Sequence, residues 1–224
     1  MKILPREKTW ISDELKARCE EVEPATIGHY LHFGFMDPKI SPVFDNVKMV
    51  GQAFTVKTTS YDSVMVHKAV SLAEEGDVLV IDRSGDTKHA CVGEMVVYAA
   101  KARKLAGIII DGPSTDIQAI RELGVPVFST GLSPITTKLI GNSGEINTTV
   151  QCGGVTVNPG DLIIADDNGA LVMPKDKEDL EEIIARAEAN EANEANTKQK
   201  LDSGVPLASI TRADSFLREQ GLID

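Results

Sequence analysis

The feature of this sequence that most constrains its fold is a pair of apolar runs joined by a helical pattern. The first run, DVLVID, spans 77–82, the second, GIIID, spans 107–111, and each ends in an aspartate. Between them, 93–105 carries small and apolar residues at helical spacing. This order predicts a parallel strand–helix–strand unit with a right-handed crossover. Because ligands bind at the carboxyl ends of such strands, we expect a functional site on the loops that follow the two runs.

The rest of the chain extends this unit into a single α/β domain. Turn pairs at Pro159-Gly160 and Asn168-Gly169 separate apolar runs and predict an antiparallel hairpin layer stacked on the parallel unit. The region 130–153 is rich in Gly, Ser, Thr and Asn, so it is expected to be mostly irregular. Periodicity and turn signals give the remaining elements in chain order: an N-terminal helix over about 9–22 ended by Pro24, a strand over 48–59, a helix over 63–75, a helix over 116–123, a third parallel strand over 126–129, and a helical tail over about 175–222. We therefore predict one domain over 1–224, with its core over about 26–174.

Composition excludes several classes of function. The chain has 34 acidic and 23 basic side chains and a net charge of -11, without a run of five basic residues, which argues against nucleic-acid binding. The three cysteines are far apart, which indicates free thiols in a reducing compartment. No apolar stretch approaches the roughly 18 residues of a membrane helix. The sequence thus predicts a cytoplasmic protein without a membrane partner.

Several familiar site types are poorly matched. The loop after the first strand lacks GxGxxG, so a dinucleotide site is not expected. His89 and Cys91 are two residues apart, but alternate loop positions do not assure the contact that a nucleophilic dyad needs. His29 and His32 have ligand-like spacing without a second ligand pair, and packing explains them better than a metal does. His67, within a predicted helix, is more simply explained by a hydrogen bond to a neighbouring loop than by catalysis.

An anion and metal site fits the two loops better. Gly93 opens a helix, so the N–H groups of Glu94, Met95 and Val96 are available to hold a carboxylate. Asp116, just past the next strand, can give one oxygen ligand to a hard divalent ion that keeps several waters, as Mg²⁺ does. A helix cap is an equally good explanation of Asp116 from spacing alone.

Three separated motifs then point to a known family. The runs GDVLVID, GEMVVYAAKARKLAGIIIDGPSTD and VNPGDLIIADDNGALVMP occur in this order. Together they resemble the RraA-like family, which includes the 4-hydroxy-4-methyl-2-oxoglutarate/4-carboxy-4-hydroxy-2-oxoadipate aldolases and the RraA regulators of ribonuclease E activity. The resemblance covers about 26–174. It implies a β/β/α fold of swivelling-domain type and a trimer or dimer of trimers with active sites between subunits.

The resemblance also implies roles for individual residues. In the aldolases a Gly-Glu pair opens the helix, and it falls here on Gly93 and Glu94, followed by Met95 and Val96. The metal-linked aspartate of the family falls on Asp116.

Two positions depart from the aldolase pattern. The family arginine that contacts the substrate carboxylate and carbonyl oxygen falls on Thr115, and a further acidic position falls on Ala119. Loss of such a guanidinium commonly costs a few kcal/mol of transition-state stabilisation. Arg83, at the exit of the neighbouring strand, is our candidate substitute, and a surface or interface salt bridge is an equally good explanation of it.

Two functions follow from this sequence. The first is a lyase dependent on Mg²⁺ or Mn²⁺ that acts on a small 2-oxo or hydroxy acid by retro-aldol cleavage or oxaloacetate-type decarboxylation, through a pyruvate enolate. Asp116 would hold the metal, Arg83 or His89 would assist, and Glu191 or Glu194 from a neighbouring subunit's tail would orient water. The alternative is a non-enzymatic regulatory oligomer that binds a protein such as a ribonuclease, as the missing arginine would permit.

Overall fold

The computed structural model describes residues 1–223 as a mixed α/β fold. Its strands are β1 (Lys2–Ile3), β2 (Ser41–Pro42), β3 (Lys48–Lys57), β4 (Asp77–Asp82), β5 (Gly107–Ile110), β6 (Val127–Ser129), β7 (Glu145–Ile146), β8 (Val150–Cys152), β9 (Val155–Val157), β10 (Leu162–Asp166) and β11 (Gly169–Met173). Its helices are α1 (Asp13–Glu21), α2 (Pro24–Ile27), α3 (Val64–Leu72), α4 (Glu94–Ala102), α5 (Ile117–Leu123), α6 (Leu180–Asp202), α7 (Leu207–Ile210) and α8 (Ala213–Glu219). Across the described range, no helix has both the length and the apolar character needed to span a bilayer.

The main sheet contains the predicted parallel unit. Its order is β1-β7-β3-β4-β5-β6-β2, and the strands β3, β4, β5 and β6 run parallel to one another. The second half of β3 pairs with β4, whereas its first half pairs with β10 in the antiparallel direction. The predicted β10–β11 hairpin is therefore hydrogen-bonded to the parallel strands through β3 as well as packed on them.

Alternating side chains of the central strands divide the core between two faces. Leu79 and Ile81 pack with α3 and α4 on one face, while Val78 and Val80 pack with hairpin residues such as Ile163 on the other. Full burial of a side chain of this kind contributes about 1.5–3 kcal/mol. The two β layers and one helical layer confirm the β/β/α expectation.

A further helical layer covers the outer face of the hairpin. Ile164 and Leu171 of the hairpin pack there against residues of α1, α2 and α6, including Cys19, Ile27 and Ile184. The apolar positions of the predicted tail helix thus have a partner, whereas its second half is largely exposed.

The two ends of the chain differ from expectation in detail. Helix α1 begins at Asp13, not near residue 9, because the Ser12 hydroxyl accepts a hydrogen bond from the Leu15 N–H at 3.1 Å and caps the helix there. Pro24 occupies the first turn of α2, where its missing N–H is tolerated. Beyond α6, the predicted helical tail continues as two short helices, which are separated at Arg212 with φ 66°.

Strand exits converge on one edge of the sheet. The strands β4 and β5 are parallel, so the loops after Asp82 and Ile110 emerge side by side. Single bridges then join Val92 to Ser114 and Ser114 to Leu132. The loops that carry the predicted site are thereby connected to the irregular segment that follows β6.

Candidate functional site

The contact between Gly93–Glu94 and Asp116 is the centre of the site. The Glu94 N–H donates a hydrogen bond of 2.9 Å to Asp116 Oδ2. The Thr115 N–H donates to the Val92 carbonyl at 3.0 Å, which holds the two loops together. The carboxylate that sequence reasoning chose as a metal ligand therefore lies at the start of α4.

Asp116 has an unusual backbone conformation for a residue with a side chain. Its φ of 57° and ψ of 41° lie in the left-handed region, which is uncommon outside glycine. It occupies the N-cap position of α5, but its side chain accepts no capping hydrogen bond from α5 and bonds to α4 instead. The Asp116 carboxylate therefore does not cap its own helix, α5, which was the competing explanation from the sequence.

Gly93 is required by the close approach of the Asp116 loop. A Cβ at this position would lie 2.4 Å from Asp116 Oδ2 and 2.8 Å from Thr115 Cγ2. Gly93 has an extended backbone with φ -144°, so the requirement is for space and not for an unusual conformation.

The N-terminus of α4 keeps two free donors. Within the described residues, neither the Met95 nor the Val96 N–H has a hydrogen-bond partner, whereas the Glu94 N–H is taken by Asp116. The expected cradle of three N–H groups is thus reduced to two. Because α4 is nine residues long, its dipole adds to the attraction of these groups for an anion.

These groups line an open cleft of about 310 Å³. The cleft brings together six residues predicted from the sequence: Gly93, Glu94, Met95, Val96, Thr115 and Asp116. It also contains residues that the sequence reasoning did not select for a site: Ser63, His67, Ala90, Cys91, Thr136, Thr137, Lys138 and Leu139. The segment 136–139 was missed because it lies in a region without periodicity.

Arg83 is not part of this cleft. The side chain is fully buried, and its Nη2 donates hydrogen bonds to the carbonyl oxygens of Ser60 and, at 3.2 Å, of His89. In the described part of the chain, its Nε and Nη1 are buried without hydrogen-bond partners. The structure therefore does not bring this guanidinium to the space beside Thr115.

His89 also lies outside the cleft lining. Its Nδ1 is 2.8 Å from Asp86 Oδ2, and its ring makes a tilted contact with Tyr61. Burial raises the pKa of Asp86. Hydrogen bonds from the His89 backbone and ring and from the Lys88 N–H lower this pKa by more than burial raises it, so the net shift is downward. His89 is thus paired with a carboxylate and not with Cys91.

Cys91 has the properties of a buried thiol. Burial raises its pKa to about 11, although the nearby Arg83 guanidinium favours the thiolate. At neutral pH the sulfur is protonated and a weak nucleophile. The Cys91–His89 dyad considered from the sequence therefore has no geometric support.

The tail glutamates make contacts within their own chain. Glu194 Oε2 is 2.9 Å from Lys198 Nζ, one helical turn away, and Glu191 Oε1 accepts a hydrogen bond from the Glu23 N–H at 2.7 Å. Neither residue lines this chain's cleft. Their entry into a neighbouring subunit's site stays a prediction.

A divalent ion at this site would have few protein ligands. Over residues 1–223, no group of three or more His, Cys, Asp or Glu side chains is arranged to hold a metal. Asp116 Oδ2 is engaged by Glu94, and Oδ1 has only a 3.5 Å contact with the Thr115 hydroxyl. One oxygen therefore remains available, which fits Mg²⁺, because this ion commonly binds through one or two carboxylates and retains its waters.

The fold and cleft define a class, a mixed α/β protein with an open cleft at adjoining strand exits, lined by Asp116 and by the first residues of α4. Residues 11–172 match the family model described as "RraA-like: Aldolase/RraA". The chain belongs to this RraA-like family.

Relatives of known name and structure agree with this assignment. A Halalkalibacterium halodurans protein named "Putative 4-hydroxy-4-methyl-2-oxoglutarate aldolase" is 37% identical over 166 residues, which cover 74% of this chain and 78% of that protein. The structure of Streptomyces coelicolor RraAS2, described as an unusual member of the RNase ES inhibitor RraA protein family, is 29% identical with a TM-score of 0.74 and covers 86% of this chain and 98% of that one. An uncharacterized Pseudomonas syringae protein is 25% identical with a TM-score of 0.77 and covers 94% and 98%.

Proposed function

We propose that this protein is a lyase, dependent on Mg²⁺ or Mn²⁺, that cleaves a C–C bond in small 2-oxo or hydroxy acids. Relatives named as aldolases support the reaction class. The observation that carries the proposal is the left-handed Asp116, whose Oδ1 is available beside two unpaired N–H groups. A strained residue held in such a conformation is a recurrent property of functional sites.

Asp116 would hold the divalent ion through Oδ1. When bound, the ion would polarise the carbonyl of a 2-oxo acid, which favours retro-aldol cleavage or decarboxylation. The hydrogen bond from Glu94 fixes the carboxylate, so that Oδ1 keeps one direction.

The Met95 and Val96 N–H groups would hold the carboxylate of the substrate. They point from the first turn of α4, where an anion is stabilised by unpaired donors and by the helix dipole. Preorganised backbone donors of this kind need no rearrangement when the substrate arrives.

Thr115 limits the chemistry of the cleft. Its hydroxyl cannot supply the positive charge of a guanidinium, and Arg83 is buried elsewhere. We therefore expect slower turnover than a cleft with an arginine at residue 115 would give.

Pyruvate release provides the test. Purified protein is assayed on oxaloacetate and on 4-hydroxy-4-methyl-2-oxoglutarate, with Mg²⁺, with Mn²⁺ and with EDTA. We expect Asp116→Asn to reduce kcat by at least about 100-fold, because it removes the only charge proposed to hold the metal. Asp45→Asn is the matched control, since Asp45 is an exposed carboxylate outside the cleft. Turnover that is indifferent to EDTA or to Asp116→Asn would reject the proposal.

We also propose a cytoplasmic trimer or dimer of trimers with the cleft near a subunit boundary. Exposed apolar side chains at and beside the cleft support it: Met95 is 67% exposed, Leu139 66% and Tyr98 58%. Exposed apolar clusters commonly mark interaction surfaces. Analytical ultracentrifugation would test the mass, and a monomer at micromolar concentration would contradict the proposal.

A regulatory role is the second candidate, favoured by the departure at Thr115 and by the likeness to a member of an RNase ES inhibitor family. In that case the protein would bind a ribonuclease E-type enzyme and reduce its activity. The acidic surface, with net charge -11, suits a basic partner segment. Stoichiometric inhibition of the purified ribonuclease, together with no metal-dependent turnover, would favour this role over the lyase.

A further inference from the structure

The cleft contains a lysine, Lys138, that has no part in the steps proposed above. Lys138 lines the same cleft as Asp116 and the first residues of α4. Over residues 1–223, its ammonium has neither an ion pair nor a hydrogen bond to another side chain. The Lys138 ammonium is therefore available to bind a ligand.

The position of Lys138 is fixed by its backbone. The Lys138 N–H donates to the Tyr61 carbonyl at 2.6 Å, and the Lys138 carbonyl accepts from the Ser63 N–H at 2.9 Å. These two bonds tie the residue to the segment just before α3.

Asp62 secures the chain immediately beyond this lysine. Its carboxylate accepts hydrogen bonds from the N–H groups of Ile140, Gly141 and Asn142, at 3.3, 2.9 and 3.1 Å. Burial raises the pKa of Asp62, but these bonds and one from Val64 outweigh that effect and lower it. A buried anion thus anchors an otherwise irregular segment, and the base of the Lys138 side chain is held in place.

The charges of the cleft favour a role for this cation in binding a ligand with two anionic groups. Glu94 and Asp116 both line the cleft, and the chain as a whole is acidic. An anion would be repelled by this field unless a local positive group offset it. Thr115 is neutral and Arg83 is buried outside the cleft, so among the cleft side chains only Lys138, and His67 when protonated, can supply positive charge.

We propose that the Lys138 ammonium binds a second anionic group of the substrate, and so selects dicarboxylic over monocarboxylic 2-oxo acids. This inference rests on the proposed function and assigns a residue to its substrate preference. The first carboxylate binds to the Met95 and Val96 N–H groups, and the second binds to the Lys138 ammonium. In a retro-aldol cleavage the second carboxylate keeps its charge while the C–C bond breaks, so the exposed Lys138 would act in binding, equally in the ground and transition states.

Calorimetry with two unreactive acids tests this assignment directly. Succinate has two carboxylates and propionate has one, so their difference in affinity at saturating Mg²⁺ isolates the second group. We expect wild-type protein to prefer succinate. A hydrogen bond to a charged group corresponds to roughly 10- to 100-fold in affinity, and Lys138→Met should remove a preference of that size. Lys138→Arg should retain it.

Lys68→Met is the matched control. Lys68 is exposed on α3, one residue beyond His67, and does not line the cleft. Its removal changes the net charge equally but removes no direct contact, so the preference for succinate should persist. Equal preference in wild type and Lys138→Met, or the same loss in both lysine variants, would overturn the assignment.

Kinetics separates this inference from the function on which it rests. With 4-hydroxy-4-methyl-2-oxoglutarate, whose distal carboxylate is retained when the C–C bond breaks, Lys138→Met should raise KM about 10-fold or more and leave kcat within about threefold, as expected when a contact equal in the ground and transition states is lost. If Asp116→Asn abolishes turnover while Lys138→Met leaves KM unchanged, the lyase stands and the role of Lys138 fails. If wild type does not turn over but Lys138 governs succinate binding, the anion site stands and the lyase fails.

Discussion

Replacing Gly93 by alanine should damage the candidate site more than the fold. The added Cβ would lie 2.4 Å from Asp116 Oδ2, whereas ordinary contact begins near 3.4 Å, so the carboxylate must move by about 1.0 Å (3.4 minus 2.4). The backbone of Gly93, with φ -144°, accepts alanine without strain. The consequence therefore falls on the Glu94–Asp116 hydrogen bond and on the direction of Oδ1.

Gly93→Ala should have a small effect on stability and a large effect on turnover. The Asp116 carboxylate is exposed, so losing its bond to Glu94 should cost only about 1 kcal/mol in the free energy of unfolding. A displacement of about 1 Å at a catalytic group can cost about 100-fold in rate. We thus expect kcat on oxaloacetate to fall about 100-fold while the urea midpoint shifts little.

A double-mutant cycle tests whether the effect of Gly93→Ala on turnover depends on Asp116. If alanine at residue 93 acts through Asp116, it should have little further effect on turnover in an Asp116→Ala background. Gly28→Ala serves as control, because Gly28 lies at the end of α2 with φ -60° and outside the cleft. Unchanged kcat in Gly93→Ala, or equal losses in both backgrounds, would show that the contact with Asp116 does not matter.

Three further substitutions test the roles of Thr115, Arg83 and Asp62. Thr115→Arg should raise kcat on oxaloacetate by 10-fold or more in the coupled pyruvate assay, because it restores a positive group beside the developing charge; an unchanged rate would exclude charge at residue 115 as limiting. Arg83→Met should leave kcat/KM within about threefold, since the guanidinium does not line the cleft; a loss above 10-fold would return Arg83 to the mechanism. Asp62→Asn should lower the free energy of unfolding at pH 7 by about 1–3 kcal/mol in urea denaturation. Because the folded pKa of Asp62 is depressed, its contribution is present above the unfolded pKa and is lost as pH falls through the folded pKa, so wild type and Asp62→Asn should converge in strong acid; a difference that persists there would contradict the charge argument.

The central strands and α4 were predictable because their sequence signals are local. Apolar runs that end in aspartate, and small residues at helical spacing, specify β4, β5 and α4 whatever the rest of the chain does. The turn pair Asn168-Gly169 between two apolar runs likewise predicted the β10–β11 hairpin. Its hydrogen bonding to one half of β3 was not predictable, because no local pattern records which strand a hairpin will meet.

The cleft was predictable only on the side formed by the two loops. Lys138 escaped notice because its position depends on long-range bonds to Tyr61 and Ser63, in a segment without periodicity. The position of the Arg83 side chain was not predictable, because a residue at a strand exit can turn outward or inward, and here it turns inward and packs against Gly112. A Cβ on Gly112 would lie 2.7 Å from Arg83 Cγ, so the glycine makes room for the buried side chain.

A crystal structure with Mn²⁺ and oxalate bound would show whether Asp116 holds the metal. We expect an anomalous peak at roughly 2.0–2.2 Å from Asp116 Oδ1, with water as most of the other ligands of the ion. We also expect an oxalate carboxylate on the Met95 and Val96 N–H groups. A manganese ion bound away from Asp116, or none at saturating concentration, would contradict the claim that this carboxylate holds the metal.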